Sequence, residues 1–234
     1  MEGAPASMTS PRDIVLASIR RSLAVSGHEA PRRNAAADRL ADHPAGVVPA
    51  RGQIGSAERL ALFAKMAEFA SATVEMIADV VDAPSAIAGF LRRYNLPMQV
   101  RRGEDARLAA FPWEREGTLE VTAGVSDGAQ LASVSHAFAA VAETGTLVLT
   151  SGRDNPTTLN FLPDNHIVVV DAKDVAGDFE TVWQRLREKY GEGVMPRTVN
   201  MITGPSRSAD IEQTLILGAH GPRRLHVIVV GSGD

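Results

Sequence analysis

Three short turns gather residue types that can do chemistry. The first is Glu143-Thr144-Gly145-Thr146, between a small-residue segment and an apolar run. Gly145 permits a sharp backbone path, Glu143 offers a carboxylate, and the two threonines bring hydroxyls and backbone N–H donors. The same four residues also read as an ordinary turn entering a strand. The second is Thr203-Gly204-Pro205-Ser206-Arg207-Ser208-Ala209-Asp210-Ile211-Glu212, which follows the apolar segment Val199 to Ile202. It reads as a strand, a polar turn and a helix start, a place where backbone N–H groups and the Ser206 or Ser208 hydroxyl receive an anion while Arg207 adds charge. Asp210 and Glu212 weigh against a pure phosphate cradle and fit equally well as acids of a first helical turn. The third is Gly218-Ala219-His220-Gly221-Pro222-Arg223, a histidine held between glycines. Its imidazole suits acid, base or ligand-donor work near neutral pH, or a hydrogen bond that fixes the turn. Pro163-Asp164-Asn165-His166 delivers another histidine to the start of a valine-rich run, facing either pocket or core.

Other chemistries are excluded by what the chain lacks. It contains no cysteine, which removes disulfides, thiolate nucleophiles, cysteine zinc sites and cysteine-held iron–sulfur clusters, so any redox centre must belong to a partner. None of the 6 histidines has His-x-x-x-His spacing, so no metal site is expected. No Walker loop and no Gly-x-Gly-x-x-Gly after a strand is present, and Gly204 to Ser208 departs from the Gly-x-Ser-x-Gly elbow of hydrolases. With 24 Lys plus Arg against 28 Asp plus Glu, the net charge of −4 repels phosphate backbones, and the paired arginines are not interleaved with aromatic stacking residues. Nucleic-acid binding is therefore not expected. The uncharged stretch from Ala129 to Ala142 is broken by Gln130 and His136 and is too short to span a membrane, and no apolar signal core opens the chain; a cytoplasmic location is the expectation.

The elements that must position these turns follow from periodicity. A length of 234 residues, 44% of them hydrophobic, supports one large α/β domain or two small ones. Ser10-Pro11-Arg12-Asp13 supplies an N-cap, a proline at the first helical position and a first-turn acid, ahead of Ile14, Leu16, Ile19 and Leu23. Residues 26–52 turn to Ala, Pro, Arg, Asp and Gly with almost no large apolar side chains and read as a linker or extended arm, which places an N-terminal helix and flexible arm at 1–52 and an α/β domain at 53–234. Leu60, Phe63, Ala64, Ala67 and Ala70 recur at helical spacing, residues 73–77 read as a strand, Asp82 opens a helix carrying Ile87, Phe90 and Leu91, and residues 97–101 read as a strand. Such alternation is the mark of parallel strands joined by crossover helices in an open α/β sheet. Residues 119–122, 146–150, 167–170 and 225–230 read as further strands and 179–190 as a helix, while 137–142 is compatible with either state.

Taken together and in this order, the turns resemble the lactate-utilization protein C family, the small cluster-free members of the LUD-domain group. The resemblance is carried by Ala142-Glu143-Thr144-Gly145-Thr146-Leu147, by Leu162-Pro163 with His166 ahead of a valine-rich strand, and by Gly204 to Glu212 followed by Gly218-Ala219-His220-Gly221-Pro222. It covers roughly Gly55 to Val230, and Ser208 stands where many relatives have threonine, keeping the hydroxyl. The resemblance implies a Rossmann-like fold, an open, mainly parallel sheet with flanking helices shared with sugar-phosphate isomerases, CoA transferases and folate cyclo-ligases. It also implies a non-redox part in oxidising L-lactate to pyruvate beside two partner proteins that carry iron–sulfur clusters, with no cofactor on this chain and a small carboxylate or other anion as ligand. On that basis Glu143 and His220 are the candidate catalytic groups. Thr144, Gly145, Thr146, His166, Gly204, Pro205, Ser206, Arg207, Ser208, Asp210, Glu212 and Gly221 are the candidate ligand-binding residues. The alternative is a stand-alone enzyme of CoA-transferase or sugar-phosphate-isomerase type with Glu143 as nucleophile or base.

Overall fold

Ser10 and Pro11 start the first helix where their chemistry places it. A computed structural model describes residues 10–209 and 215–233, leaving aside the side chains at 208, 209 and 215–217. In it, α1 spans Pro11–Ser22 and the Ser10 hydroxyl oxygen accepts from the Asp13 backbone N–H at 3.2 Å. The segment read as an arm contains a second helix, α2 (Ala30–Asp42), with a proline in its first turn and no buried side chain. Alanine, arginine and leucine are strong helix formers, so backbone propensity is enough to make a helix where there is no core to bury. The scarcity of large apolar residues marked a missing core and not a missing helix. Two compact units divide between Gly46 and Val47.

The second unit runs α3 (Ser56–Phe69), β1 (Thr73–Ile77), α4 (Ala83–Arg93), β2 (Gln99–Arg102), α5 (Ala106–Ala109), β3 (Glu120–Ala123), β4 (Ala132–His136), β5 (Ala139–Val141), β6 (Thr146–Thr150), α6 (Thr157–Phe161), β7 (Asn165–Asp171), β8 (Val175–Ala176), α7 (Phe179–Tyr190), β9 (Val199–Ile202), β10 (Arg207–Ala209), β11 (Leu215–Leu217) and β12 (Arg224–Val230). Six strands form a sheet in the order β1-β12-β7-β4-β2-β3, and every pairing in it is parallel. The expected open α/β sheet is therefore present. Its inner strands β7 and β12 are the valine-rich runs, buried on both faces as parallel strands require.

A second sheet has the order β8-β5-β6-β9 and is mixed, with β5 antiparallel to β6 and β6 antiparallel to β9. Residues 137–142, compatible with helix or strand from sequence, thus include a strand. Ala139, Val141 and their neighbours are buried on both sides, which leaves no polar face for a surface helix. The layers follow from the cores. One face of the parallel sheet packs Ile167, Val169 and Ile228 against Ile87, Phe90 and Leu91 of α4. The other packs Val168, Val170 and Val227 against Phe63 of α3 and against Leu147 and Leu149 of β6. The outer face of the second sheet is covered by Val182 and Leu186 of α7. Among the described residues no helix is long and apolar enough to cross a membrane.

Candidate functional site

Two glycines pin two of the three turns to the end of α3. Gly145 has φ +67°, and a Cβ there would run into the Ala67 backbone nitrogen. Gly204 has φ +73°, and a Cβ there would run into the Ala70 carbonyl oxygen. Only glycine permits both the left-handed backbone and the close approach. The docking brings three hydroxyls into a chain, with Thr146 Oγ1 2.7 Å from Thr144 Oγ1 and 2.7 Å from Thr203 Oγ1.

Beside this chain lies a cavity of about 280 Å³ lined by Thr203, Gly204, Pro205, Ser206, Arg207, His220, Gly221, Pro222, Leu225, His166, Asn160, Phe161, Met201 and Ile202. It sits at the amino ends of β7 and β12. His166 is the second residue of β7 and is fully buried, and burial pushes its pKa down to about 3, so the ring is neutral at physiological pH. Its Nε2 is 3.0 Å from Ser135 Oγ, and Ser135 Oγ is 3.2 Å from Asn160 Oδ1. His166 Nδ1 and Asn160 Nδ2 have no partner. Ser133 holds α6 over this floor by donating to the Leu159 carbonyl at 2.6 Å.

The hydrogen bonds of the floor can run in either of two directions. If the Ser135 hydroxyl donates to Asn160, His166 Nε2–H must donate to Ser135, which leaves Nδ1 as a bare acceptor and the Asn160 NH₂ as a donor. If the Asn160 amide is turned over, Ser135 donates to Nε2, which leaves Nδ1–H as a donor and the amide oxygen as an acceptor. Either way the buried floor keeps one unused donor and one unused acceptor. A hydroxyl group can both accept and donate, whereas a keto or carboxylate oxygen can only accept. At the rim, exposed Arg207 donates through Nη2 to Ser71 Oγ at 2.5 Å, and His220 is exposed.

The structure corrects the reading of the second turn. Arg207–Ala209 is a strand paired antiparallel with Leu215–Leu217, where a helix start was expected. The apolar run Leu215-Ile216-Leu217 supplies a partner strand, so Arg207 to Ala209 enter a ladder. The Ser206 N–H also donates to the Pro222 carbonyl at 2.9 Å, so the helix-terminus anion cradle does not exist here. Ser208 is in the hairpin by its backbone; Asp210 and Glu212 lie outside the described residues.

The third turn and His166 do converge with the second turn on one cavity. From the first turn, Thr144 lines an adjoining cavity of about 500 Å³ together with Met66, Phe69, Ala70, Thr203, Pro205 and Arg207. Glu143 lines neither. It is buried, its N–H donates to the Gly177 carbonyl at 3.3 Å, and its Oε2 has no hydrogen-bond partner.

Sequence reasoning missed Ser135 and Asn160. The alternation Ser133-Val134-Ser135 inside a small-residue run was the available signal, since alternate positions of a strand share a face. It also missed a charged cluster at the opposite, carboxyl edge of the sheet. There His136 Nδ1 donates to the Ala137 carbonyl at 3.0 Å and Nε2 stands 3.9 Å from Asp171 Oδ2. Arg107 binds Asp105 through Nη2 at 2.7 Å and Nε at 3.1 Å. Burial opposes the Asp105 charge, but the Arg107 bonds outweigh it and hold the carboxyl below its usual range; burial and then Arg107 push His136 down.

Comparison with known proteins agrees with this architecture. Lactate utilization protein C of Geobacillus thermodenitrificans is 40% identical over 107 residues, covering 44% of this chain and 45% of that protein. Lactate utilization protein C of Bacillus subtilis is 36% identical over 105 residues, covering 44% of each. An uncharacterized protein of Neisseria meningitidis serogroup B is 34% identical over 154 residues, covering 60% of this chain and 61% of that one. The matched stretches thus span about half the length of these relatives. The crystal structure of a DUF162 family protein from Deinococcus radiodurans aligns with a TM-score of 0.57 at 25% identity, covering 76% of this chain and 99% of that one. A family model described as the LUD domain matches residues 60–230, which takes in both sheets and the cavity between the turns. The chain belongs to the LUD domain family.

Proposed function

We propose that this chain is a non-redox component of L-lactate utilization, working with iron–sulfur partner proteins in the oxidation of L-lactate to pyruvate, and that its cavity receives the hydroxy acid. The names of its relatives support the pathway, and the absence of cysteine supports leaving the two electrons of the oxidation to partners. The observation that carries the ligand reading is the buried floor at His166 and Asn160, with one unpartnered nitrogen on each side chain. The hydroxyl of a 2-hydroxy acid fits that pair, and Arg207 at the rim suits its carboxylate. With its pKa near 3, His166 acts as a hydrogen-bonding group and not as a proton carrier. The stand-alone enzyme reading has only the unpartnered Glu143 oxygen behind it, and that carboxylate lines neither cavity.

The test is lactate-dependent dye reduction by the two iron–sulfur partners, with and without this chain, beside calorimetric binding of L-lactate and pyruvate to the chain alone. The reading expects activity to require the chain, and lactate to bind about tenfold or more tighter than pyruvate, because a buried polar group left unpaired costs about 1–3 kcal/mol. Activity indifferent to the chain removes the pathway assignment; equal affinity for the two acids removes the hydroxyl site.

A further inference from the structure

We infer that the groove between the C-terminal end of α4 and the amino ends of β1 and β12 is a phosphate subsite, built for an inorganic or monoester phosphate. A cavity of about 420 Å³ there is lined by Ser71, Thr73, Tyr94, Pro205, Arg223, Arg224 and Leu225. It continues past Thr73 and Tyr94 into a smaller one of about 200 Å³ that includes Glu75, Arg93 and His226.

The charges facing the groove are unbalanced. Arg224 donates Nη1 to the neutral Asn165 Oδ1 at 3.1 Å, and its guanidinium carbon lies 4.6 Å from the centre of the Tyr94 ring. Among the described residues no carboxylate comes within 4.0 Å of it. The Arg223 side chain reaches the Asp164 carboxylate through Nε at 3.8 Å. Arg207 is tied to Ser71 on the groove wall, and the Arg93 guanidinium carbon lies 5.9 Å from the centre of the Tyr94 ring. Against the three guanidiniums that line the two cavities, Arg93, Arg223 and Arg224, stands one lining acid, Glu75, which is turned toward His226 Nε2 at 3.5 Å.

Arginines gathered without acids repel one another unless an anion joins them. Here Arg224 is fixed by a stack and an amide, contacts that leave its charge uncompensated while removing its conformational freedom. A guanidinium fork matches phosphate oxygens two at a time, and a phosphate near neutral pH brings nearly two negative charges and more acceptor oxygens than a carboxylate. Pro205 and Leu225 wall both this groove and the His166 cavity, so a hydroxy acid bearing a phosphate ester could reach both. The phosphate subsite itself does not depend on the hydroxy-acid reading.

The test titrates inorganic phosphate calorimetrically into the full chain at constant ionic strength set with chloride. Wild type, the Arg223→Gln/Arg224→Gln double variant and an Arg115→Gln control are compared, with folding verified by circular dichroism. Saturable binding in wild type and control, weakened at least tenfold in the double variant and unchanged in His166→Gln, is the expected result. 3-Phosphoglycerate identifies the source. Tighter binding than phosphate, with the gain lost in His166→Gln, assigns a phosphate ester that also reaches the floor, and equal binding assigns the phosphate group alone. No heat beyond a chloride blank, or a double variant that binds as well as wild type, overturns the subsite.

Discussion

Acid should cost this fold stability well before its carboxylates protonate. His166 and His226 are buried, and burial lowers their pKa values from 6.5 to about 3 and about 4, helped at His226 by the Arg93 charge. In the unfolded chain both rings take up a proton near the ordinary value, so between that value and the folded one the unfolded state binds more protons. The stability they contribute is complete above the unfolded pKa and is lost as pH falls toward the folded values. At about pH 5, roughly 1.5 units below the unfolded pKa, each ring has cost about 2 kcal/mol at about 1.4 kcal/mol per unit, and the pair about 4 kcal/mol. His136, pushed down by burial and then by Arg107, adds to the same direction. Asp105 and Asp178 are held below the usual carboxylate range, so their losses begin at lower pH, while Asp174, raised by burial and then by Asp171, works in the opposite sense to the histidines. For a fold of ordinary stability, about 5–15 kcal/mol, this is a substantial fraction. Urea unfolding followed by the fluorescence of Trp113 and Trp183, from about pH 8 to about pH 5, measures it. Wild type should lose about 4 kcal/mol or more, and His166→Gln about 2 kcal/mol less. A variant whose loss equals that of wild type refutes the argument.

Three further outcomes are expected. Gly204→Ala should lose about 2 kcal/mol or more in urea unfolding, because left-handed backbone costs alanine about 1–2 kcal/mol and the new Cβ meets the Ala70 carbonyl; lactate affinity should fall with it. Asn160→Leu should weaken L-lactate and pyruvate binding alike, about tenfold, in calorimetry, since the unpartnered Asn160 Nδ2 is a donor from which either oxygen accepts. Glu143→Gln should keep lactate affinity within about twofold, and a large loss in that titration would return Glu143 to the site.

Much of the fold was legible because the sequence spells out local rules. The Ser10 cap, the proline at Asp82-Ala83-Pro84 and the valine runs of β7 and β12 each specify an element by a mechanism that acts within a few residues. What stayed hidden depended on partners far away in the chain. Arg207–Ala209 is a strand because Leu215–Leu217 pairs with it, and no helix-start signal in Asp210 or Glu212 can report that pairing. Ser135 and Asn160 matter because the β4–β7 register sets Ser133 beside His166 and α6 lies over both, and a single strand pattern carries no register. Gly145 and Gly204 stand out in the sequence as glycines within polar turns, but the reason they bring two turns together, the backbone of α3, is visible only in three dimensions.

The position of the cavity follows from how the chain enters and leaves its central strands. Open parallel sheets usually bind ligands beyond the carboxyl ends of their strands. Here β4 reaches its carboxyl end at His136 and β5 begins at Ala139, with the Ala137 N–H bonded to the Val169 carbonyl and the Phe138 N–H to the Val148 carbonyl. That reversal covers the carboxyl edge, and the charges nearby are already paired as Arg107 with Asp105 and His136 facing Asp171. The amino edge is the open one. The segments before β7 and β12 lead the chain inward past Asp164 and Arg223, while Gly145 and Gly204 hold two turns on the end of α3, next to the start of β1. The unpartnered nitrogens of His166 and Asn160 and the uncompensated Arg224 all lie on this side. Buried polar groups without partners cost free energy, and those of His166 and Asn160 belong to side chains that line a cavity on this open edge.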